Sequence, residues 1–298
     1  MKLILPISQS RIGFTLKNLH PKEIELFYKA SFMTVFLFTL FIGINSAVAQ
    51  DETKNKDRYK PFNTGGHLKN MHIWHGSVVH PGAMFATHLE YNSKNEKFTL
   101  GVWGGAGFTT TDVIHNDSGQ NVRANYKEVS IYAVYRLSDT FFAEAVSHNN
   151  YTGVEERGDT LHYWSYDKTQ GYNFVDINFG YNITPNTLLY LATIIGGGSG
   201  DYEIQPDGSL KNSWTHYFEI KSKVWKIDNY ELSLFAGGAW SFLTDKTFYT
   251  QDKVNVINVG LALNKNITVA NYELPVEVTA MWNPEKQATV LSLDFSLF

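Results

Sequence analysis

The 298-residue chain contains no cysteine. That excludes a disulfide framework, thiolate metal sites, a cysteine nucleophile and lipid attachment through cysteine. Proline is scarce at 8 residues, and charged residues make up only 18% of the chain. A formal net charge of −4 gives no basic footprint for nucleic acid. Long apolar runs are missing too. The most apolar stretch, Phe32 to Ile44, has 13 residues, whereas a spanning helix needs about 20. What is plentiful is of one kind: 20 Phe, 17 Tyr and 7 Trp, with 23 Gly. Such aromatic enrichment suits strands and fits a helical bundle poorly.

The apolar stretch follows Lys29 and runs on to Ala47-Val48-Ala49, the pattern of a cleaved export signal over residues 1–49 with an over-long leading region. Cleavage after Ala49 would leave 249 residues carrying 20 basic and 27 acidic side chains, an exported acidic protein. Residues 50–66 are charged and without periodicity, and are expected to be a flexible polar segment.

From residue 67 to 298 the chain alternates with period 2, the signature of strands with one apolar and one polar face. Val129, Ile131, Ala133 and Tyr135 oppose Glu128, Ser130 and Tyr132. Ile257, Val259, Leu261 and Leu263 oppose Asn258, Gly260 and Asn264. Twelve such stretches fall near 67–77, 82–91, 96–108, 125–137, 139–149, 171–182, 187–198, 212–224, 229–243, 253–264, 271–283 and 287–298. After the first, their connections alternate short and long, with long polar ones at 109–124, 150–170, 199–211 and 244–252. A soluble sandwich has no reason to gather its long loops at one end; a transmembrane barrel does. Strand lengths suit a tilted crossing of hydrocarbon, and the strand number is even. Aromatics gather near strand ends (Tyr91, Tyr126, Tyr135, Tyr181, Trp225, Tyr272 and Trp282 among them), as interfacial belts require. Alternation also explains a mean hydropathy of only −0.23 in a membrane protein. The expected fold is therefore an all-β, transmembrane, antiparallel up-and-down barrel of about 12 strands, monomeric, in an outer membrane, with lipid around it. By parity the terminal Phe298 falls on the polar face, offset by one from Leu297 and Phe295.

Three segments carry a family resemblance: His72-Ile-Trp-His-Gly76, Phe98-Thr-Leu-Gly-Val-Trp-Gly104 and Glu128-Val-Ser-Ile-Tyr-Ala-Val-Tyr-Arg136, followed by Asn150-Tyr-Thr-Gly153. In this order they resemble the TorF-type porin family of Gram-negative outer membranes, over about residues 70–195. The chain departs from the family at His75, where an arginine is expected. The resemblance implies an outer-membrane channel and no particular solute.

On the faces expected to line the lumen stand Glu128, Arg136, Glu144, Asp176, Glu219, Lys221, Lys223, Glu231, Glu273, Glu277 and Asp294. They form either a charged pore wall that selects permeants or internal salt bridges that fill the lumen. A twelve-stranded barrel lies between the filled small barrel and the open large channel, so both readings stand. The carboxylate excess near Glu231, Glu273 and Glu277 favours cationic or neutral solutes. Five histidines (His67, His72, His75, His80, His88) cluster early, yet His72 and His75 would point to opposite faces of a strand, and no metal site is expected. His88 and Glu90 share a face and suit a lumen pair. For catalysis, Ser147-His148-Asn149-Asn150 is the nearest analogue of a lipid-modifying barrel enzyme of the phospholipase or deacylase type, but Ser147 and His148 also fall on opposite faces. No nucleophile-elbow, zincin, Walker or dinucleotide motif is present in a fitting context, and Gly196–Gly200 opens no helix. The loop acids Asp112, Asp117, Asp201 and Asp207 read as solvated charge, with calcium binding the other reading. The sequence thus points to a non-enzymatic channel without cofactor. A plugged structural or adhesive barrel is the further alternative.

Overall fold

The computed structural model of the chain describes residues 59–115, 118–156, 165–168, 173–197 and 200–298. The expected export signal, the first part of the polar lead and Asp117 lie outside these residues. In chain order the strands are β1 (Phe62–Lys69), β2 (His72–Trp74), β3 (Ser77–His80), β4 (Met84–Asn92), β5 (Phe98–Ile114), β6 (Asn121–Arg136), β7 (Phe141–Asn150), β8 (Phe174–Thr184), β9 (Thr187–Gly197), β10 (Tyr202–Ile204), β11 (Leu210–Asn212), β12 (His216–Ile227), β13 (Tyr230–Trp240), β14 (Val254–Val269), β15 (Tyr272–Asn283) and β16 (Ala288–Ser296). Among the described residues twelve of these strands close into one barrel, in the order β1-β16-β15-β14-β13-β12-β9-β8-β7-β6-β5-β4. Every neighbouring pair is antiparallel, and β1 meets β16 to complete the ring. The pairs β2–β3 and β10–β11 are separate two-stranded hairpins.

The two faces of the wall obey the alternation. On β6, Ile131 and Tyr135 are exposed on the outside, while Ser130 is 5% exposed on the inside. Leu234 on β13 and Leu261 on β14 pair across their ladder and are both exposed outward. A continuous exposed apolar band of this kind is stable against lipid, and the closed ladder leaves no unpaired edge in it. Tyr91, Tyr135, Tyr181, Trp225 and Tyr272 are all exposed near the short-turn ends of their strands, forming a belt at that rim.

Four expectations are corrected. The stretch 67–77 is not a wall strand: the first wall strand is Phe62–Lys69, so residues 62–66 belong to the barrel and not to a flexible lead. The connection 109–124 is mostly ladder, because β5 and β6 run on past the wall, with Asp112 and Arg123 paired at 3.3 Å near its tip. Tyr126 is no belt residue. It is 1% exposed, with its hydroxyl turned to Glu128. Ile257 is fully buried among Tyr217, Ala239 and Tyr249, because a bulge opposite Gly237 and Gly238 turns it inward against the parity of its strand.

Leu261→Arg places a charge on the lipid face near the middle of β14 and is expected to cost about 2–4 kcal/mol of folding stability in vesicles. Asn264→Arg, on the opposite face of the same strand, should leave the urea unfolding midpoint nearly unchanged. Equal losses for the two would contradict the assignment of faces.

Candidate functional site

The connection between the first two wall strands does not cap the barrel from outside. Lys69 and Met84 pair at the ends of β1 and β4, and between them the β2–β3 hairpin reaches across the lumen. Its tip is a two-residue turn, His75-Gly76, with φ of +44° and +77°. Positive φ at both central residues matches the right-handed twist of a tight hairpin. Glycine is required at the second position for a further reason: a Cβ there would run into the backbone carbonyl of Ile257.

Ring stacking and a few polar contacts hold the hairpin to opposite walls. His72 stacks on Trp103 of β5 with ring centroids 5.2 Å apart, and His80 stacks on Tyr126 of β6 at 5.1 Å. At the tip, His75 lies nearly parallel to Tyr217 of β12, 4.0 Å away, and its Nδ1 is 2.9 Å from the Tyr249 hydroxyl. Asn283 of β15 donates to the Gly76 carbonyl at 2.8 Å. Trp74 packs against His148, Phe174 and Tyr249. The loop 241–253 folds inward beside it. Its Phe248 backbone amide donates to Thr215 Oγ1 at 2.7 Å, and that hydroxyl donates to Asp201 at 2.5 Å. Hairpin and loop together narrow the lumen on the long-loop side.

Between hairpin and wall lies a cavity of about 920 Å³. Its polar wall is a chain of side chains running across β4 to β9. His148 stands between two carboxylates, with Nε2 3.2 Å from Asp176 and Nδ1 3.9 Å from Glu128. Glu128 also accepts from the Tyr126 hydroxyl at 2.8 Å and from Ser130 at 3.2 Å. Asn178 donates through Nδ2 to both Asp176 and Glu144, each at 3.1 Å. Tyr190 reaches Glu144 at 3.4 Å, and Tyr132 donates to Glu90 at 2.8 Å.

Of the residues named from the sequence, Glu128, Glu144 and Asp176 meet in this cavity. Glu219 lies in a neighbouring group, accepting from Tyr217 at 2.5 Å and Asn258 at 2.6 Å. Lys221 follows it on the same strand face. Lys223 and Glu231 form an ion pair at 3.1 Å, and Asp294 holds Lys69 at 2.8 Å and His67 at 2.9 Å. Glu277 accepts from Thr279. Arg136 and Glu273 are exposed at the short-turn rim. Ser147 contacts the Tyr166 hydroxyl at 2.6 Å on the wall face opposite His148, so the two make no dyad. Asp207 accepts from Ser209 and closes its own turn. The histidines disperse, and no set of three His, Asp or Glu side chains is arranged to hold a metal among the described residues. Sequence reasoning did not find the hairpin, and it placed Tyr132 and Asn178 on the polar face beside Glu128 and Asp176 without giving them a role. The available signal for the hairpin was His75-Gly76 between two short β-rich runs, masked by an unbroken strand-like pattern.

Burial among rings pushes His75 well below its ordinary pKa, and burial pulls His72 down to about 4 against the opposing influence of Glu128. Docking therefore favours neutral imidazoles. Its stability is complete above the undocked value of about 6.5 and is lost progressively as pH falls toward about 4. The near-ultraviolet circular dichroism of the aromatic cluster should weaken across that window while the far-ultraviolet strand signal persists. A flat aromatic signal through the window would overturn this assignment.

No protein-family model matches the chain, and no curated protein matches it. Among solved structures, it is similar to an outer membrane channel from Pseudomonas putida F1, with 10% identity, 82% of this chain and 98% of that one covered, and a TM-score of 0.42. It is also similar to the Ralstonia pickettii toluene transporter TbuX, with 10% identity, 79% and 87% covered, and a TM-score of 0.36. LpxR from Salmonella typhimurium shows 7% identity, 79% and 99% covered, and a TM-score of 0.36.

Proposed function

We propose that this chain is a channel of the Gram-negative outer membrane, of the TorF-type porin kind, that passes small solutes passively through a narrowed, acidic lumen. The observation that carries the reading is the β2–β3 hairpin lying across a closed barrel with an apolar outside and a polar inside. The hairpin leaves a cavity large enough for a small organic molecule, and pockets of this volume class hold one comfortably. Selectivity comes from the width beside the hairpin and from the carboxylates on the wall, without cofactor or energy input. In this reading the barrel is a monomer whose partners are the surrounding lipid and the permeant solute. The reading as a lipid-modifying enzyme loses its candidate dyad, because Ser147 and His148 occupy opposite faces of β7.

The second reading, a plugged barrel, is favoured by the same hairpin together with the inward loop carrying Phe248 and Tyr249. Planar-bilayer recordings separate the two. The channel reading expects small, cation-preferring conductance in the intact protein and a severalfold rise in Gly76→Ala, whose added methyl group cannot coexist with the Ile257 carbonyl in the docked tip. Silence in the intact protein with conductance only in the variant would assign the plug. Clear anion selectivity would sink the acidic-lumen channel.

A further inference from the structure

We infer that the lumen cavity is a binding site for small organic ammonium ions, with the charged head held by Glu90 and Glu144 and the apolar part laid against the rings of the hairpin side. The inference deepens the channel reading and rests on it only for the route of entry.

The first ground is charge without counter-charge. Among the described residues, no Lys, Arg or His lies within ion-pair distance of Glu90 or Glu144; their hydrogen-bond donors are the neutral Asn63, Tyr132, Asn178 and Tyr190. The adjacent trio does not supply the missing charge. Even with His148 positive, Glu128 and Asp176 leave it with a net negative charge. Lys69 and Lys168 also border the cavity; Lys69 is engaged by Asp294 at 2.8 Å, and neither lysine is within ion-pair distance of Glu90 or Glu144. Half-buried carboxylates of one sign along a cavity wall favour a cationic guest.

The second ground is an orphan acceptor. Asn178 is 1% exposed and borders the cavity, and its Oδ1 has no donor. Its orientation is dictated by the network, since its Nδ2 donates to two carboxylates and a flipped amide would set oxygen against oxygen. The site is thus rich in acceptors and short of donors, and an ammonium brings donors and no acceptor.

The third ground is the apolar lining. Trp74, Trp103, Phe174 and Phe248 border the same cavity, with Tyr132 and Tyr190 beside the carboxylates. Aromatic faces near acids attract organic cations through the ring quadrupole and accept a hydrocarbon tail by burial. A hydrocarbon alone would leave the carboxylates uncompensated, an anion would be repelled, and a bare metal ion would lack a convergent ligand set among the described residues.

The test uses the detergent-solubilised protein with phenethylammonium as probe and the isosteric 2-phenylethanol and phenylacetate as charge controls, read by calorimetry and by tryptophan fluorescence. Phenethylammonium should bind at least roughly tenfold more tightly than either control, the discrimination expected of one charge-assisted hydrogen bond. Glu144→Gln and Glu90→Gln, each nearly isosteric, should weaken it by about the same factor while leaving 2-phenylethanol binding unchanged. Heat-modifiable gel migration of each variant verifies a folded barrel. Equal binding of the three probes, or unaltered ammonium affinity in both folded variants, would overturn the site. Bilayer conductance measured on the same preparations separates the two proposals. Conductance without ammonium binding removes the site and keeps the channel, whereas binding without conductance keeps the site and removes the channel.

Discussion

A polypeptide wall in hydrocarbon must pair every backbone N–H and C=O internally, because lipid offers no partner. The rest of this structure depends on that constraint, and the seam where it is met last is the contact between β1 and β16. The seam is short: only His67, Leu68 and Lys69 stand in register with Ser296, Phe295 and Asp294. It is extended by backbone bonds beyond the ladder, from Leu297 to Gly66 at 2.7 Å and from Asn70 to Leu293 at 3.2 Å. On the inner face Asp294 reaches across to both Lys69 and His67. Closure also fixes the hairpin. β1 leads directly into it, and the pairing of Lys69 with Met84 sets its root on the inner rim.

A closed ring of twelve strands encloses more space than wall side chains fill. An inserted element is one solution, and its composition follows from what it must touch. The opposite walls present Trp103, Tyr126 and Tyr217 and the inward loop presents Tyr249, so flat rings at His72, Trp74, His75 and His80 match them. Imidazole suits this position because it stacks like an aromatic ring and still offers a hydrogen-bonding nitrogen, as His75 does toward Tyr249.

The wall was legible in the sequence because its two faces meet different solvents, and period 2 records that difference residue by residue. The strand number and the polar set on the inner face follow from it. The first strand escaped because Phe62–Lys69 is polar and glycine-rich: Gly65 leaves room for the His88 ring, and a strand that makes way for its neighbour carries little apolar signal. The hairpin escaped for the opposite reason. His72-Ile-Trp and Ser77-Val-Val-His both read as strand, and both are strand, but they pair with each other inside the lumen, which local pattern cannot register. Ile257 and Tyr126 misled because parity fails at a bulge and because an aromatic near a strand end can serve an inner network as readily as an outer belt. The cavity was half legible. Glu128, Glu144 and Asp176 share the inward parity, but their convergence with Glu90 depends on barrel curvature.

Wall and hairpin are both built from β-ladders, yet they answer differently to being opened. Parting two wall strands would expose backbone groups to hydrocarbon, so the wall opens as a whole or not at all. The hairpin carries its own short ladder, which survives undocking, and its outer contacts are ring stacks and a few side-chain hydrogen bonds within a polar lumen. Water replaces each of those hydrogen bonds when it breaks, which keeps the net value of each small, so the buried ring stacks carry most of the docking. The hairpin can leave its seat without opening the wall. A guest that competes for the faces of Trp74 and Trp103 acts directly on the docking equilibrium, because whatever binds one arrangement better shifts the population toward it.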